Sequence, residues 1–106
     1  MFKKRRTSKE IKAELNKIKY YFSRKEIFDK SFDCLVKNEI LETIEKYNEA
    51  ISHADPRVYE VYIAIYIHNN THESAASEMN YSLDYVAKYH KLLIKYLVGY
   101  FTNKTN

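Results

Sequence analysis

The chain has 106 residues, a net charge of +4 and 45% hydrophobic residues, which is typical of one small folded domain and not of a disordered segment. One glycine and one proline are too few for the many turns of a sheet-rich fold, and a single cysteine excludes an intrachain disulfide. This scarcity of turn residues indicates an all-α fold. No apolar run is long enough for a membrane span or a signal peptide, so we expect a cytoplasmic protein without membrane contact.

Positive charge is concentrated at the start of the chain. Residues 1–25 carry ten Lys or Arg against two Glu, whereas residues 26–60 carry four basic and nine acidic side chains. The leading cluster predicts an arm that neutralises phosphates beside a DNA groove. A competing interpretation is that the basic first helix packs against the acidic segment and uses its charge internally. The arm consists of Lys3, Lys4, Arg5 and Arg6.

Two helices are predicted before residue 54. Thr7 and Glu10 have the spacing of a capping box, and apolar residues follow at helical intervals over the next three turns. Ser23 and Glu26 repeat the capping signal and open a second helix that runs to about His53. The two helices can form a hairpin. A helix of about 30 residues extends to roughly 45 Å, which predicts packing against a second subunit in a homodimer. The alternative is a helix that breaks near Lys37-Asn38 and folds back on its own domain.

Asp55 and Pro56 mark the clearest break in the sequence. Aspartate is favoured at the N-cap and proline in the first helical turn, so a third helix is predicted from Pro56 to about His68. We therefore divide the chain into residues 1–54, a basic arm and helical hairpin for oligomerisation, and residues 55–106, a helix-turn-helix unit.

The second unit contains a short helix between two breaks. Asn69 and Asn70 tolerate the left-handed backbone that ends a helix, and Thr71 can cap a new helix over His72–Met79. Two adjacent alanines in this helix are small enough to let another helix cross closely. This order of elements is typical of a helix-turn-helix.

The turn and the last helix complete the unit. Asn80 and Tyr81 supply the turn, and Ser82 caps a helix that is predicted to end at Tyr100. At 100° per residue, this helix has an apolar face opposite a polar face. A recognition helix requires this division, but any helix at a protein surface also shows it. The apolar face has Tyr85, Val86, Tyr89, Leu93, Tyr96, Leu97 and Tyr100, and the polar face has Asp84, Lys88, Lys91 and Lys95.

Eleven tyrosines occur without a tryptophan. Most lie at helical spacing and are expected at the rim of the core, with hydroxyls that reach water. Tyr81 and Tyr85 are the two that we expect to contact nucleic acid.

The stretch from Tyr66 to Leu97 contains a set of residues that matches a known family. These residues are Tyr66-Ile67, Asn70-Thr71, Glu73, Ala76, Met79-Asn80-Tyr81-Ser82 and Val86. With them the stretch resembles the C-terminal helix-turn-helix of phage late-gene transcription activators of the Rin and ArpU type, which are similar to region four of bacterial sigma factors. The resemblance implies a transcriptional regulator that acts in a bacterium or a phage-infected cell. The chain has Ser74-Ala75-Ala76 where the family has Glu-Ile-Ala, so base-reading residues are not carried over.

The sequence contains no pattern typical of an enzyme. His68 and His72 are four residues apart, but the predicted helix break between them prevents a shared zinc-binding face. There is no phosphate-binding glycine loop, no cysteine pair and no isolated pair of carboxylates for acid-base catalysis. We therefore predict neither enzymatic activity nor a metal or cofactor.

The hypothesis from the sequence is a phage-type transcriptional regulator that binds specific sites on double-stranded DNA. RNA polymerase or another transcription factor is the protein partner considered for such a regulator. One alternative is a protein-interaction module that binds a phage or host transcription factor through a helix-turn-helix that has lost DNA binding. A second is a small terminase subunit, which joins a helix-turn-helix to an oligomerising hairpin. The predicted nucleic-acid contacts are Ser82, Asp84, Tyr85, Lys88, Lys91 and Lys95 on the last helix, Tyr81 in the turn, and Lys3, Lys4, Arg5 and Arg6 in the arm.

Overall fold

The structure, a computed structural model, describes residues 6–30 and 34–104, which form six helices and no strand. The predicted all-α class is confirmed. No helix in the described ranges combines the length and apolarity needed to cross a membrane. The helices are α1 (Ser8–Ser23), α2 (Lys25–Asp29), α3 (Cys34–Ile51), α4 (Pro56–Tyr62), α5 (His72–Met79) and α6 (Leu83–Lys104), and α4 continues into a π-helical turn at Ile63–Ile67.

Four of these helices begin at capping residues that the sequence indicates. Thr7, Asp55, Thr71 and Ser82 each accept a hydrogen bond from a backbone N–H two or three residues later, at 2.8–3.2 Å. Each cap satisfies a backbone donor that the helix itself leaves unpaired and contributes about 1 kcal/mol. The starts of α1, α4, α5 and α6 are therefore encoded locally.

The single long helix predicted from Ser23 to His53 is wrong. α2 ends at Asp29 and α3 begins at Cys34. The alternative break near Lys37-Asn38 is also misplaced, because both residues lie within α3. Lys37 Nζ lies 3.3 Å from the Asp29 carboxylate, whereas a continuous helix would separate these two positions by about 12 Å along its axis. Ser23 is the last residue of α1, and its hydroxyl donates to a carbonyl oxygen three residues earlier.

Because the predicted helix of about 30 residues is interrupted, its length no longer indicates packing against a second subunit. α3 has 18 residues and therefore extends about 27 Å, which a domain of this size can accommodate. It packs against α1, α4 and α6 of its own chain.

One hydrophobic core contains buried side chains from α1, α3, α4, the π-helical turn, α5 and α6. It includes residues on both sides of position 54. Its largest members with under 2% exposure are Tyr47, Tyr62, Ile11, Leu15, Ile18, Ile51, Leu93, Leu97, Val61 and Val86.

A charged network ties the start of the described chain to α3 and to the end of α6. The Arg6 guanidinium pairs with the Glu14 carboxylate, which also accepts a hydrogen bond from the Tyr47 hydroxyl at 2.5 Å. Arg6 lies 5.3 Å from the centre of the Phe101 ring, which packs 4.9 Å from the ring of Tyr47. Because Phe101 is buried in this way, α6 continues past its predicted end to Lys104.

Tyrosine hydroxyls bridge helices at several points and do not simply reach water, contrary to the sequence-based expectation. Tyr62 donates to Asn48 Oδ1 at 2.8 Å, and Tyr96 donates to the carbonyl oxygen of Ala50 at 2.6 Å. The reason is that a buried phenol needs a hydrogen-bond partner inside the protein. These bonds attach α4 and α6 to α3.

The junction after the π-helical turn is held by α1. Lys19 Nζ donates to the carbonyl oxygens of Ile65 at 2.7 Å and Asn70 at 2.8 Å. Asn69 has a left-handed backbone (φ 61°), and its side-chain amide donates to the carbonyl oxygen of Lys19 at 3.2 Å. Lys19 therefore satisfies carbonyl groups at the helix end, where a positive charge is also favoured by the helix dipole.

This junction can be tested with two neighbouring lysines. Lys19→Met keeps the aliphatic stem but leaves two carbonyl groups without their charged donor, so we expect the free energy of unfolding to fall by about 1–3 kcal/mol. Lys17→Met, at an exposed position on the same helix, should change it by less than about 0.5 kcal/mol. Urea unfolding followed by circular dichroism measures both, and equal values would contradict this role of Lys19.

Candidate nucleic-acid interface

A three-residue connection sets the position of α6 against α5. Asn80 has a left-handed backbone (φ 60°), and the N–H of Tyr81 donates to the carbonyl oxygen of Ala76 at 3.0 Å. Ser82 then caps α6 through the N–H of Tyr85 at 3.1 Å. These bonds close one helix and start the next, so the beginning of α6 has a fixed direction.

The two faces of α6 are separated as the periodicity predicts. Val86, Leu93 and Leu97 have no exposed surface, whereas the predicted polar face is exposed. Ile94 and Phe101 are also buried, although the predicted apolar face did not include them. They lie on the edge of α6 near α1 and Arg6, so tertiary packing decides their burial.

The structure brings Lys12 of α1 close to α6. Lys12, Lys91 and Lys95 line a groove of about 660 Å³ between the start of α1 and the middle of α6. Within the described ranges, none of the three has a carboxylate within ion-pairing distance. Sequence reasoning missed Lys12 because no local signal shows which helix lies beside α6.

At the start of α6 the predicted contact residues differ in accessibility. Tyr81 is 45% exposed, and its ring stacks on that of Tyr85 at 4.0 Å. Tyr85 is partly buried because it is also packed against Tyr89, at 4.6 Å. Ser82 and Asp84 are exposed, although the Ser82 oxygen already accepts the capping bond.

A further cation, Arg57, lies on the other side of α6. Its guanidinium is 5.1 Å from the centre of the Tyr89 ring and forms two hydrogen bonds with the Asp55 carboxylate, at 3.0 and 3.1 Å. The Arg57 hydrogen bond lowers the pKa of Asp55. Because its charge is balanced by Asp55, Arg57 adds little net positive potential.

The predicted basic arm is only partly within the described residues. Lys3, Lys4 and Arg5 lie outside them. Arg6 is half-buried and paired with Glu14. The charge of Arg6 is therefore balanced inside the protein, but by a carboxylate of α1 and not by the acidic segment of the competing interpretation.

Two histidines and a tyrosine form a cluster where α5, α6 and the π-helical turn meet. The Tyr66 hydroxyl lies 2.6 Å from His90 Nε2, and the rings of His72 and His90 are 4.6 Å apart. Burial, together with the nearby His72 and Lys12, lowers the pKa of His90 to about 4, and burial raises the pKa of Tyr66 to about 12. Both partners of the short contact are therefore neutral near pH 7.

The histidines do not assemble a metal site in the part of the chain that the structure describes. His68 pairs with Glu78 at 3.0 Å, whereas the ring of His72 packs at an angle of 55° against that of His90. No group of three His, Cys, Asp or Glu side chains among the described residues has a suitable arrangement.

Comparison of the chain with known protein families, with characterised proteins and with solved structures finds no match.

The histidine cluster predicts loss of stability in mild acid. His90 has a lower pKa in the folded protein (about 4) than its ordinary value of 6.5, so the unfolded chain binds more protons between these pH values. Stability is then fully present above pH 6.5 and falls as the pH decreases towards 4. Because the ring is partly exposed, we expect a contribution of about 1–2 kcal/mol.

His90→Gln should remove this contribution while keeping an acceptor for Tyr66. Urea unfolding at pH 7 and pH 4 should show a smaller pH-dependent loss in this variant than in the wild type. His53→Gln, at an exposed position, is the matched control and should retain the wild-type loss. An unchanged loss in His90→Gln would show that other groups cause it.

Proposed function

We propose that this protein is a sequence-specific regulator that binds double-stranded DNA by inserting the start of α6 into the major groove. The observation that carries the proposal is the exposed face formed by Asp84, Lys88, Lys91 and Lys95. The opposite face of the same helix is buried, and a three-residue connection to α5 fixes where the helix begins. In this proposal α5 and α6 act as a helix-turn-helix.

The polar face of α6 has side chains that can form hydrogen bonds with base edges in the DNA major groove. An α-helix fits the major groove, where a carboxylate can accept from cytosine N4 and an ammonium can donate to guanine O6 or N7. Asp84 and Lys88 lie in the first two turns of α6, nearest to the base edges in this geometry. Lys91 and Lys95 follow in later turns and would reach phosphates.

Charge on two helices supports binding to a phosphate backbone. Lys12 on α1 lines the same groove as Lys91 and Lys95 of α6. Charges without an internal carboxylate partner release counterions from DNA when they bind, which gives affinity and strong salt dependence. Arg6 is not assigned a DNA contact, since Glu14 already pairs with it.

A phage-type regulatory role rests on the resemblance of the 66–97 stretch to late-gene activators. RNA polymerase or another transcription factor would then be a protein partner, and binding would take place in a bacterial or phage-infected cell. A homodimer would bind a two-fold repeated site with half-sites about one helical turn apart.

DNA binding is tested by selecting duplexes from a random library with the purified protein, followed by salt titrations. We expect an enriched motif. Substituting Lys88, Lys91 and Lys95 together by Ala should weaken its binding and reduce the salt slope by roughly 1 for each lysine that contacts a phosphate. The control variant replaces three other exposed lysines, Lys9, Lys17 and Lys30.

The control removes the same net charge from outside the proposed interface. It should weaken binding less and leave the selected motif unchanged. Equal losses in the two variants would indicate binding through net charge alone. An unchanged salt slope in the Lys88, Lys91 and Lys95 variant, or the absence of any enriched motif, would contradict the proposal.

A further inference from the structure

The groove between α1 and α6 has an apolar floor as well as a basic rim. Ala87, Ile94 and Val98 of α6 line the floor, and Lys12, Lys91 and Lys95 lie along the rim. No acidic side chain lines the groove. The combination differs from a surface that contacts only phosphates, because nucleic-acid backbones gain nothing from an aliphatic floor.

We propose that this groove binds an acidic, amphipathic helical segment of a partner protein. Two packed helices leave a groove that side chains of a third helix can fill; α1 and α6 contact each other, and residues of both line this groove. A bound helix would place apolar residues at i, i+3, i+4 and i+7 on the floor. Its Asp and Glu residues on either side would meet the three lysines.

The shape of the groove favours a protein segment over a small molecule. Small-molecule sites usually enclose most of the ligand surface, whereas this groove is open to solvent. Removing the apolar floor from water supplies affinity, and the lysines select an acidic partner by charge complementarity. The apolar floor thus requires an apolar face on the bound segment, and the lysine rim requires acidic residues beside that face.

Occupation of the groove has a consequence for the proposed function. Lys91 and Lys95 belong both to the groove rim and to the proposed DNA-binding face. A bound acidic segment would therefore compete with DNA. This competition rests on the proposed DNA binding, but the groove and its acidic partner do not.

The first experiment uses a synthetic helical peptide of about 16 residues, with leucines at i, i+3, i+4 and i+7 and glutamates at the flanking positions. We expect binding by fluorescence anisotropy with a Kd of about 10–100 µM. A peptide of the same composition with leucines spread around the helix should bind at least about tenfold more weakly. Equal binding of both peptides, or no binding of the first, would overturn the proposal.

Two variants with the same charge change locate the site. Val98→Asp places a carboxylate on the floor and should weaken peptide binding at least about tenfold. Leu92→Asp is the matched control, because Leu92 is 39% exposed and lies outside the groove; it should bind the peptide as the wild type does. Equal losses in the two variants would overturn the proposal.

Val98 is partly buried, so Val98→Asp is first checked for wild-type helicity and unfolding midpoint. Ala87→Glu, at an exposed floor position that is compatible with a helix, gives an independent test and should cause the same loss. Wild-type affinity in Ala87→Glu would overturn the proposed site. These titrations contain no DNA, so failure of peptide binding and failure of DNA binding are separate results.

Discussion

The arrangement of the helices depends on how the chain leaves the π-helical turn. At this point the backbone carbonyls of Ile65 and Asn70 are not paired within a helix, and the ammonium of Lys19 binds both. Asn69 takes the left-handed backbone that reverses the chain and returns a hydrogen bond to α1. One side chain of α1 therefore holds the segment that joins the π-helical turn to α5. α6 packs directly on α1 as well, and this packing brings Lys12 close to α6.

Some cationic side chains of this protein form ion pairs with its own carboxylates, and others have no carboxylate partner in the described ranges. Arg6 pairs with Glu14 against the Tyr47 hydroxyl, and Arg57 pairs with Asp55 at the start of α4. Burying part of a guanidinium is costly unless a carboxylate and further hydrogen bonds compensate for lost water. Arg6 is partly buried in this way and contributes to the fold, whereas Arg57 is exposed and only its charge is balanced by Asp55. In the proposed interfaces, binding would depend on lysines that no carboxylate in the described ranges neutralises. This is why the net charge of the chain is a poor guide to where an anionic partner would bind.

The sequence predicts the features that depend on interactions between neighbouring residues. The capping side chains at Thr7, Asp55, Thr71 and Ser82 contact backbone N–H groups two or three residues away, so their effect can be read from adjacent positions. The two faces of α6 follow from helical periodicity for the same reason. The break after Asp29 could not be predicted, because the acidic and apolar pattern continues across it and the contact with Lys37 appears only once the chain folds back. Lys12 belongs to the candidate site only through tertiary packing, which leaves no local signal.

The groove and the proposed DNA-binding face share Lys91 and Lys95, but only a partner in the groove would also cover the apolar side chains beside these lysines. A phosphate backbone can use Lys91 and Lys95 without entering the groove, and it leaves the aliphatic side chains of Ala87 and Val98 in water. An acidic helix uses the same lysines and also covers that apolar surface. The two proposed partners would therefore depend differently on salt: DNA affinity would fall steeply as counterion release becomes less favourable, whereas the apolar part of the peptide contact would not. If both proposals hold, raising the salt concentration would shift the competition towards the acidic helix.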